Sequence, residues 1–443
     1  MRLNDAQLQR ASTDVSRAKY ILARIFRHYT GAVAVRFWDG ETLALGRADP
    51  VATIVLNSAK PLRNLALLRD PLDLIEAYFI GDMDIEGDVY ALLEQRSHLP
   101  SLRFSWRDRA ALFFATLFSD SEVQPAIDLK NNSFRWSKPV LALLQAKPSR
   151  AYNREAIAFH YDASNDFYRL WLDEQMIYSC AYFNDPNDSL DQAQRNKLEH
   201  ICRKLRLKSG ERLLDIGCGW GALICWAAMQ HGVRAHGITL SRQQYEHTQA
   251  KIRTLGLTQQ VTVELLDYRD LPPMVMYDKV SSIGMFEHVG LKNLPAYFKA
   301  VNRVLKPGGL FLNHGITDNE ENRRVTPETK FIKRYVFPDG ELDNVSNVQN
   351  VMERSGWEML DVEALRPHYA LTLRRWVNRL EARRKEALAH VSEATYRVWR
   401  LYMAGCVTQF EKGTIGVYQM LAAKKHPGLL DIPLTRADIY RSG

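Results

Sequence analysis

The stretch SSIGMFEHVG, residues 281–290, runs an apolar segment into Glu287 and His288. A carboxylate at the tip of such a strand is costly unless it meets a ligand or a proton. A second stretch, LLDIGCGWG at 213–221, sets Asp215 at a strand end and glycines at 217, 219 and 221. Glycines let the backbone turn sharply and approach a ligand. Such a turn opening onto a helix N-terminus suits a nucleotide-bearing ligand, and equally a tight strand-to-helix connection. No Gly-Lys-Ser/Thr follows it, so it is not a phosphate-binding P-loop. A nicotinamide site places an acid about 20 residues further on, for the ribose hydroxyl. Here that place reads Thr239-Leu240-Ser241-Arg242-Gln243-Gln244, with no acid. A third stretch, VLKPGG at 304–309, precedes the apolar run LFLNHGI, which ends near His314.

These residues need strands to carry them. RLLDIG, VRAHGIT, VTVELL, KVSSIGMF and LFLNHGI read as apolar strands, with helical segments between them, one starting at Ser241 and one spanning AYFKAVNRVL. Strands alternating with helices predict an α/β fold, a doubly wound parallel sheet covered on both faces. In such a sheet the carboxyl ends of the strands share one crevice. The glycine turn, Glu287 and His314 all fall at such ends. The C-terminal part is mostly helical from 371 to about 410 and closes with IGVYQMLAA, one more strand. Upstream, GAVAVRFW and ETLALG flank Asp39-Gly40 as a hairpin, and VATIVLN is a third strand. DPLDLIEAYF, DVYALLEQ and WRDRAALFFATLF read as helices. The expected organisation is a smaller α+β accessory domain over 1–125, a linker over 126–150 and a catalytic domain over 151–443.

Composition limits the partners. The chain has 443 residues and a formal net charge of +8, which favours an anionic partner: nucleic acid, anionic lipid or a phosphate-bearing substrate. No recognition helix or base-stacking motif is evident, so nucleic acid is not expected. The five cysteines, at 180, 202, 218, 225 and 406, form no CxxC pair and no His/Cys metal spacing, so no metal is expected. Free thiols fit a reducing cytoplasm. The N-terminus is polar, unlike a signal peptide. The longest apolar run, 110–118, falls short of the roughly 20 residues that span a bilayer. Membrane contact is therefore expected to be peripheral. Two stretches could make it: WRDRAALFFATLF at 106–118, basic residues before an apolar run, and LRRWVNRLEARRKEAL at 373–388, five Arg and one Lys on one helix.

Together LLDIGCGWG and LKPGG resemble a class I methyltransferase using S-adenosylmethionine. FHYDASNDFYRLWLD, IYSCAYF, ITLSRQQ, GMFEHVG, NHGIT, RPHYALTL and Cys406 narrow the resemblance to the cyclopropane-fatty-acyl-phospholipid synthases, a family that includes the mycolic acid cyclopropane synthases. It covers residues 150–425, and more loosely EAYFIGDMDIEGD in the N-terminal part. The resemblance implies methyl transfer from S-adenosylmethionine to a cis double bond of a phospholipid acyl chain. Proton loss to a bound bicarbonate ion then closes a cyclopropane ring. It implies backbone groups of Cys180 and Ile316 and side chains of Glu287, His314 and Tyr369 as holders of that ion. A carboxylate beside such an anion needs a shared proton or a cationic neighbour, and His314 is the candidate for the latter. His288 is expected to be structural. Cys406 matches a cysteine taken as catalytic in the family, although ring closure has no use for a thiolate. For the donor, the resemblance implies Tyr178, Ser179, Asp215, Gly217, Gly219, Gly221, Thr239, Leu240, Ser241, Gln244, Asp267 and Tyr268. The last two stand where relatives often have Gly-Trp. It further implies a homodimer at the inner face of the cytoplasmic membrane. Alternatives are methyl transfer without ring closure, giving methyl-branched or methylene fatty acids, an N-methyltransferase on a small amine, and an inactive lipid-binding relative.

Overall fold

The computed structural model describes residues 5–46, 48–67, 72–101, 105–117, 164–319 and 341–440. The expected linker at 126–150, and FHYDASNDFYRLWLD up to 163, lie outside them. By its contacts the chain divides into two units. Among the described residues, the first holds those up to 117 together with 384–408, and the second holds 164–319, 341–383 and 409–440.

In the second unit β5 (Arg212–Ile216), β6 (Arg234–Thr239), β7 (Val261–Leu265), β8 (Tyr277–Ile283), β9 (Leu305–Asp318), β10 (Trp357–Ala364) and β11 (Ile415–Lys424) form one sheet, in the order β10-β11-β9-β8-β5-β6-β7. β5 through β9 are mutually parallel, as the apolar runs predict. β11 departs from that expectation and runs antiparallel to both β9 and β10. It enters at the edge where β10 ends, Ala364 opposite Tyr418, and so must run back. β10 escapes the sequence reading because WEMLDVEA alternates polar residues and lacks a continuous apolar run.

Alternation along β5 sends Leu213 to one core and Leu214 to the other. The first core packs against Leu198 and Ile201 of helix Leu190–Lys204 and Ile224 of helix Ala222–His231. The second packs against Tyr297, Phe298 and Val301 of helix Leu294–Val304, with Val348 and Met352 of helix Val345–Arg354. Buried aliphatic and aromatic side chains on both faces, worth about 1.5–3 kcal/mol each against exposure, hold the strand ends rigid.

In the first unit β1 (Ala32–Arg36), β2 (Thr42–Gly46), β3 (Ala52–Leu56) and β4 (Met83–Gly87) form a sheet in the order β2-β1-β3-β4. The hairpin turns at Asp39-Gly40 as expected, with Gly40 at φ +89°. The sequence reading passes over β4 and the helix Asp5–Ile25. Helix Trp106–Leu117 packs Leu112 and Ala115 into the core and leaves Trp106 and Phe114 72% and 64% exposed.

Candidate active site

A cleft opens at the carboxyl ends of β5, β6 and β8. Its floor is the glycine turn. Gly217, Gly219 and Gly221 take φ of +80°, +54° and +78°, the left-handed region that side chains resist. Gly221 then starts the helix Ala222–His231. A side chain at Gly221 would meet Thr248 Cγ2 at 2.5 Å, whereas at Gly219 nothing lies within 4 Å. Gly221 is thus glycine for packing as well as for its backbone angle, whereas Gly219 borders open space.

Of the twelve expected donor-binding residues, nine line this cleft: Tyr178, Ser179, Asp215, Gly217, Gly219, Thr239, Leu240, Gln244 and Tyr268. Thr239 donates its hydroxyl to Gln244 Oε1 at 2.8 Å, so the two hold one rim together. Burial raises Asp215 to about 6, against the Ser281 hydroxyl bonded to it at 2.7 Å. The other three are not among the lining residues. Ser241 caps helix Arg242–Thr254 by accepting from the Gln244 amide, and Gly221 sits beneath the turn. Asp267 accepts from the Arg269 amide and guanidinium, and so shapes the loop that presents Tyr268.

The opposite wall is a turn in which Asp173 accepts from the Gln175 and Ile177 amides. Met176 sits there at φ +62°, unusual for a side-chain-bearing residue and typical of a constrained site. This turn delivers Tyr178 and Ser179. Lys197, Met285 and His288 also line the cleft; the sequence reading gives the first two no role and takes His288 as structural. Burial lowers His288 to about 4, so its ring is neutral at pH 7. A signal for Lys197 exists. Leu190, Ala193, Gln194, Leu198 and Ile201 form the buried stripe of their helix, and Lys197 falls within it.

Glu287 explains itself through the sheet. β8 leaves the ladder after the Gly284 amide donates to the His314 carbonyl at 2.8 Å. The next inward amide of β9, Ile316, then has no strand partner, and Glu287 Oε1 accepts from it at 2.7 Å. Gly315 makes room, since a Cβ there would lie 2.2 Å from the Phe286 ring and 2.8 Å from Glu287 Oε1. Glu287 Oε2 is buried without a partner among the described residues. Burial raises the carboxyl to about 7, and the Ile316 amide lowers it only in part.

The other expected ion holders stand as follows. His314 is buried on β9 opposite Gln419, whose amide lies 3.4 Å from Nδ1. Burial, together with the positive charge of Lys197 and Lys204, pushes it well below its ordinary value. It therefore does not supply the positive charge expected to balance Glu287. The Ile316 amide is engaged by Glu287 itself. Cys180 is buried, with its thiol 3.3 Å from the Ala181 carbonyl and its pKa pushed up by burial. Tyr369 packs 4.8 Å from Phe410 and edge-on to Trp376, and Trp376 lies 5.3 Å from Tyr178. Cys406 belongs to the first unit, and burial raises it to about 12, so it is a thiol and not a thiolate at neutral pH. Among the described residues no group of His, Cys, Asp and Glu could hold a metal.

Residues 148–420 match the family described as mycolic acid cyclopropane synthetase, and residues 19–99 match a domain of unknown function. A probable fatty acid methyltransferase of Pseudomonas putida is 40% identical over 411 residues, 92% of this chain and 96% of its own. The cyclopropane-fatty-acyl-phospholipid synthase of Escherichia coli is 39% identical over 265 residues, 60% of this chain and 66% of its own. The crystal structure of mycolic acid cyclopropane synthase CmaA1, complexed with SAH and CTAB, superposes with a TM-score of 0.59 at 34% identity. It covers 63% of this chain and all of that one. The chain therefore belongs to the mycolic acid cyclopropane synthetase family, and its second unit has the class I S-adenosylmethionine-dependent methyltransferase fold.

Proposed function

We propose that this protein transfers the methyl group of S-adenosylmethionine to a cis double bond of an unsaturated phospholipid acyl chain and closes a cyclopropane ring there. The observation that carries the reading is Glu287: buried beside the donor cleft, one oxygen on the Ile316 amide, the other without a partner among the described residues, and its pKa raised by burial to about 7.

S-adenosylmethionine, when bound, supplies an electrophilic methyl carbon. The open space over Gly219, the Thr239–Gln244 rim and the Tyr268 ring fit such a molecule. An alkene is a weak nucleophile, so these residues act by positioning. The apolar wall around Ile283 and Met285 keeps water from the developing cation. A bicarbonate ion would supply a base for the departing proton. Glu287 and the neutral His314 fit it as holders, because a carboxyl carrying its proton donates a hydrogen bond to an oxyanion where a carboxylate would repel it. The proton on Glu287 thus takes the place expected of a charged histidine.

Methyl transfer without ring closure is a second reading, favoured by the name of the 40%-identical Pseudomonas putida relative. It differs only in the fate of the cation. Mass spectrometry of lipids from a host lacking such an enzyme tests both. Gain of one CH2 with loss of unsaturation and upfield cyclopropyl protons by NMR is the expected result. Added CH2 without those proton signals would overturn ring closure, and unchanged lipids would overturn the whole reading.

Peripheral contact with an anionic bilayer is proposed on helix Trp106–Leu117, with its exposed Trp106 and Phe114. The basic stretch at 373–388 fits this less well. It breaks into two helices at Arg383. Its arginines already have partners within the protein: Arg374 with Glu411, Arg375 with the Pro186 carbonyl, Arg379 with Asp191, Arg383 with the Leu170 carbonyl and Arg384 with Glu393, although Arg383 and Arg384 stay exposed.

A further inference from the structure

Lys197 occupies a core position with a charged head. It is 2% exposed, and its ammonium donates to Ser179 Oγ at 3.1 Å. Among the described residues no carboxylate pairs with it; Asp173 and Asp215 act only at longer range. A buried ammonium without an anion is costly, and one hydroxyl satisfies only one of its three protons. The deficit faces the cleft that Lys197 helps to line.

The sheet says which end of the cleft this is. Tyr268 follows β7, whereas Lys197 lies by Asp215 at the end of β5, with β6 between them. Strands sit about 4.8 Å apart, so the two ends are separated by about 10 Å, comparable to an extended adenosyl amino acid. An aromatic ring suits a purine and a cation suits a carboxylate, so a donor with its adenine against Tyr268 would bring its amino-acid end to Ser179 and Lys197. That end bears the one carboxylate of S-adenosylmethionine.

We infer that Lys197 is the counter-ion for the α-carboxylate of the methionine moiety, oriented by Ser179. This rests on the reading of the cleft as the donor site. The groups facing Lys197 are Asp173 and Cys180 from the wall, Asp215 from β5 and His314 from β9. Burial lowers its pKa to about 8, and the two aspartates and Cys180 oppose that shift. At pH 7 it is charged and ready for an anion. Above about pH 8 the free protein loses that charge, and the preference for a carboxylate falls with it.

The test is calorimetric titration of the full chain with S-adenosylhomocysteine and with S-adenosyl-3-thiopropylamine, which lacks the carboxylate alone. Wild type is expected to prefer the former by about tenfold or more at pH 7, and the preference should shrink near pH 9.5. Lys197→Met should bind both ligands alike, at a melting temperature that shows it folded, and Lys197→Arg should restore part of the preference. Should Lys197→Met not fold, the two ligands on wild type across pH carry the test. An unchanged preference in Lys197→Met, or none in wild type, overturns the assignment. Failure of wild type to bind S-adenosylhomocysteine at all overturns the donor-site reading beneath it.

Discussion

Glu287 shows how one residue sets stability against chemistry. Its pKa is raised from 4.5 to about 7, so the folded state holds a proton that the unfolded chain has released. Its contribution to stability is therefore fully present below about pH 4.5 and is lost as the pH rises through about 7. At pH 8 the buried carboxylate costs on the order of 3 kcal/mol. Glu287→Gln removes that titration. The variant should match wild type in thermal unfolding at pH 4.5 and exceed it at pH 8, while lipid modification drops by about 100-fold or more. Equal melting temperatures at pH 8 would place the carboxylate in contact with solvent. Retained turnover with unchanged bicarbonate dependence would remove it from the mechanism.

At the scale of elements, the glycine turn separates two functions within three residues. Gly219→Ala and Gly221→Ala both place a Cβ at positive φ, costing roughly 1–2 kcal/mol. Gly221→Ala adds a collision with Thr248 and should lose a further few kcal/mol of stability, read by chemical denaturation. Gly219→Ala meets no protein atom. It should lose only that backbone cost, melting a few degrees below wild type and above Gly221→Ala, yet bind S-adenosylhomocysteine at least about tenfold more weakly. If both variants lose stability alike and affinity alike, the turn does not divide in this way.

At the scale of the whole molecule, chain segments far apart in sequence complete one another. Residues 384–408 belong to the first unit, and Arg397 is its centre. The Arg397 guanidinium donates to the Tyr78 and Met83 carbonyls at 2.8 and 3.0 Å and pairs with Asp84 and Glu393 at 2.9 and 3.0 Å. It is nearly buried, so its loss strands a carboxylate and two carbonyls. Arg397→Met should cost about 3 kcal/mol or more, seen by calorimetry as a lower melting temperature. A fragment of residues 1–139 alone should lack cooperative unfolding, because the helix Glu393–Lys412 supplies buried Tyr396 and Met403 to that unit. A cooperative transition in the fragment would show that the N-terminal strands and helices suffice.

Local chemistry was legible in the chain because it is written in local patterns. Continuous apolar runs predicted the five parallel strands, and Asp-Gly predicted the hairpin. The glycines marked the turn, and an acid closing an apolar run marked Glu287, although β8 ends at Ile283 and Glu287 stands on a 3-10 turn beyond it. Local pattern could not reveal that Lys197 pairs with no carboxylate among the described residues, nor Glu287's engagement of Ile316, the neutrality of His314 or the reversal of β11. Each depends on which atoms the completed sheet leaves without partners, or on how much water the packed helices remove. Burial and unmet hydrogen bonds are properties of the assembled surface, and only the tertiary structure decides them.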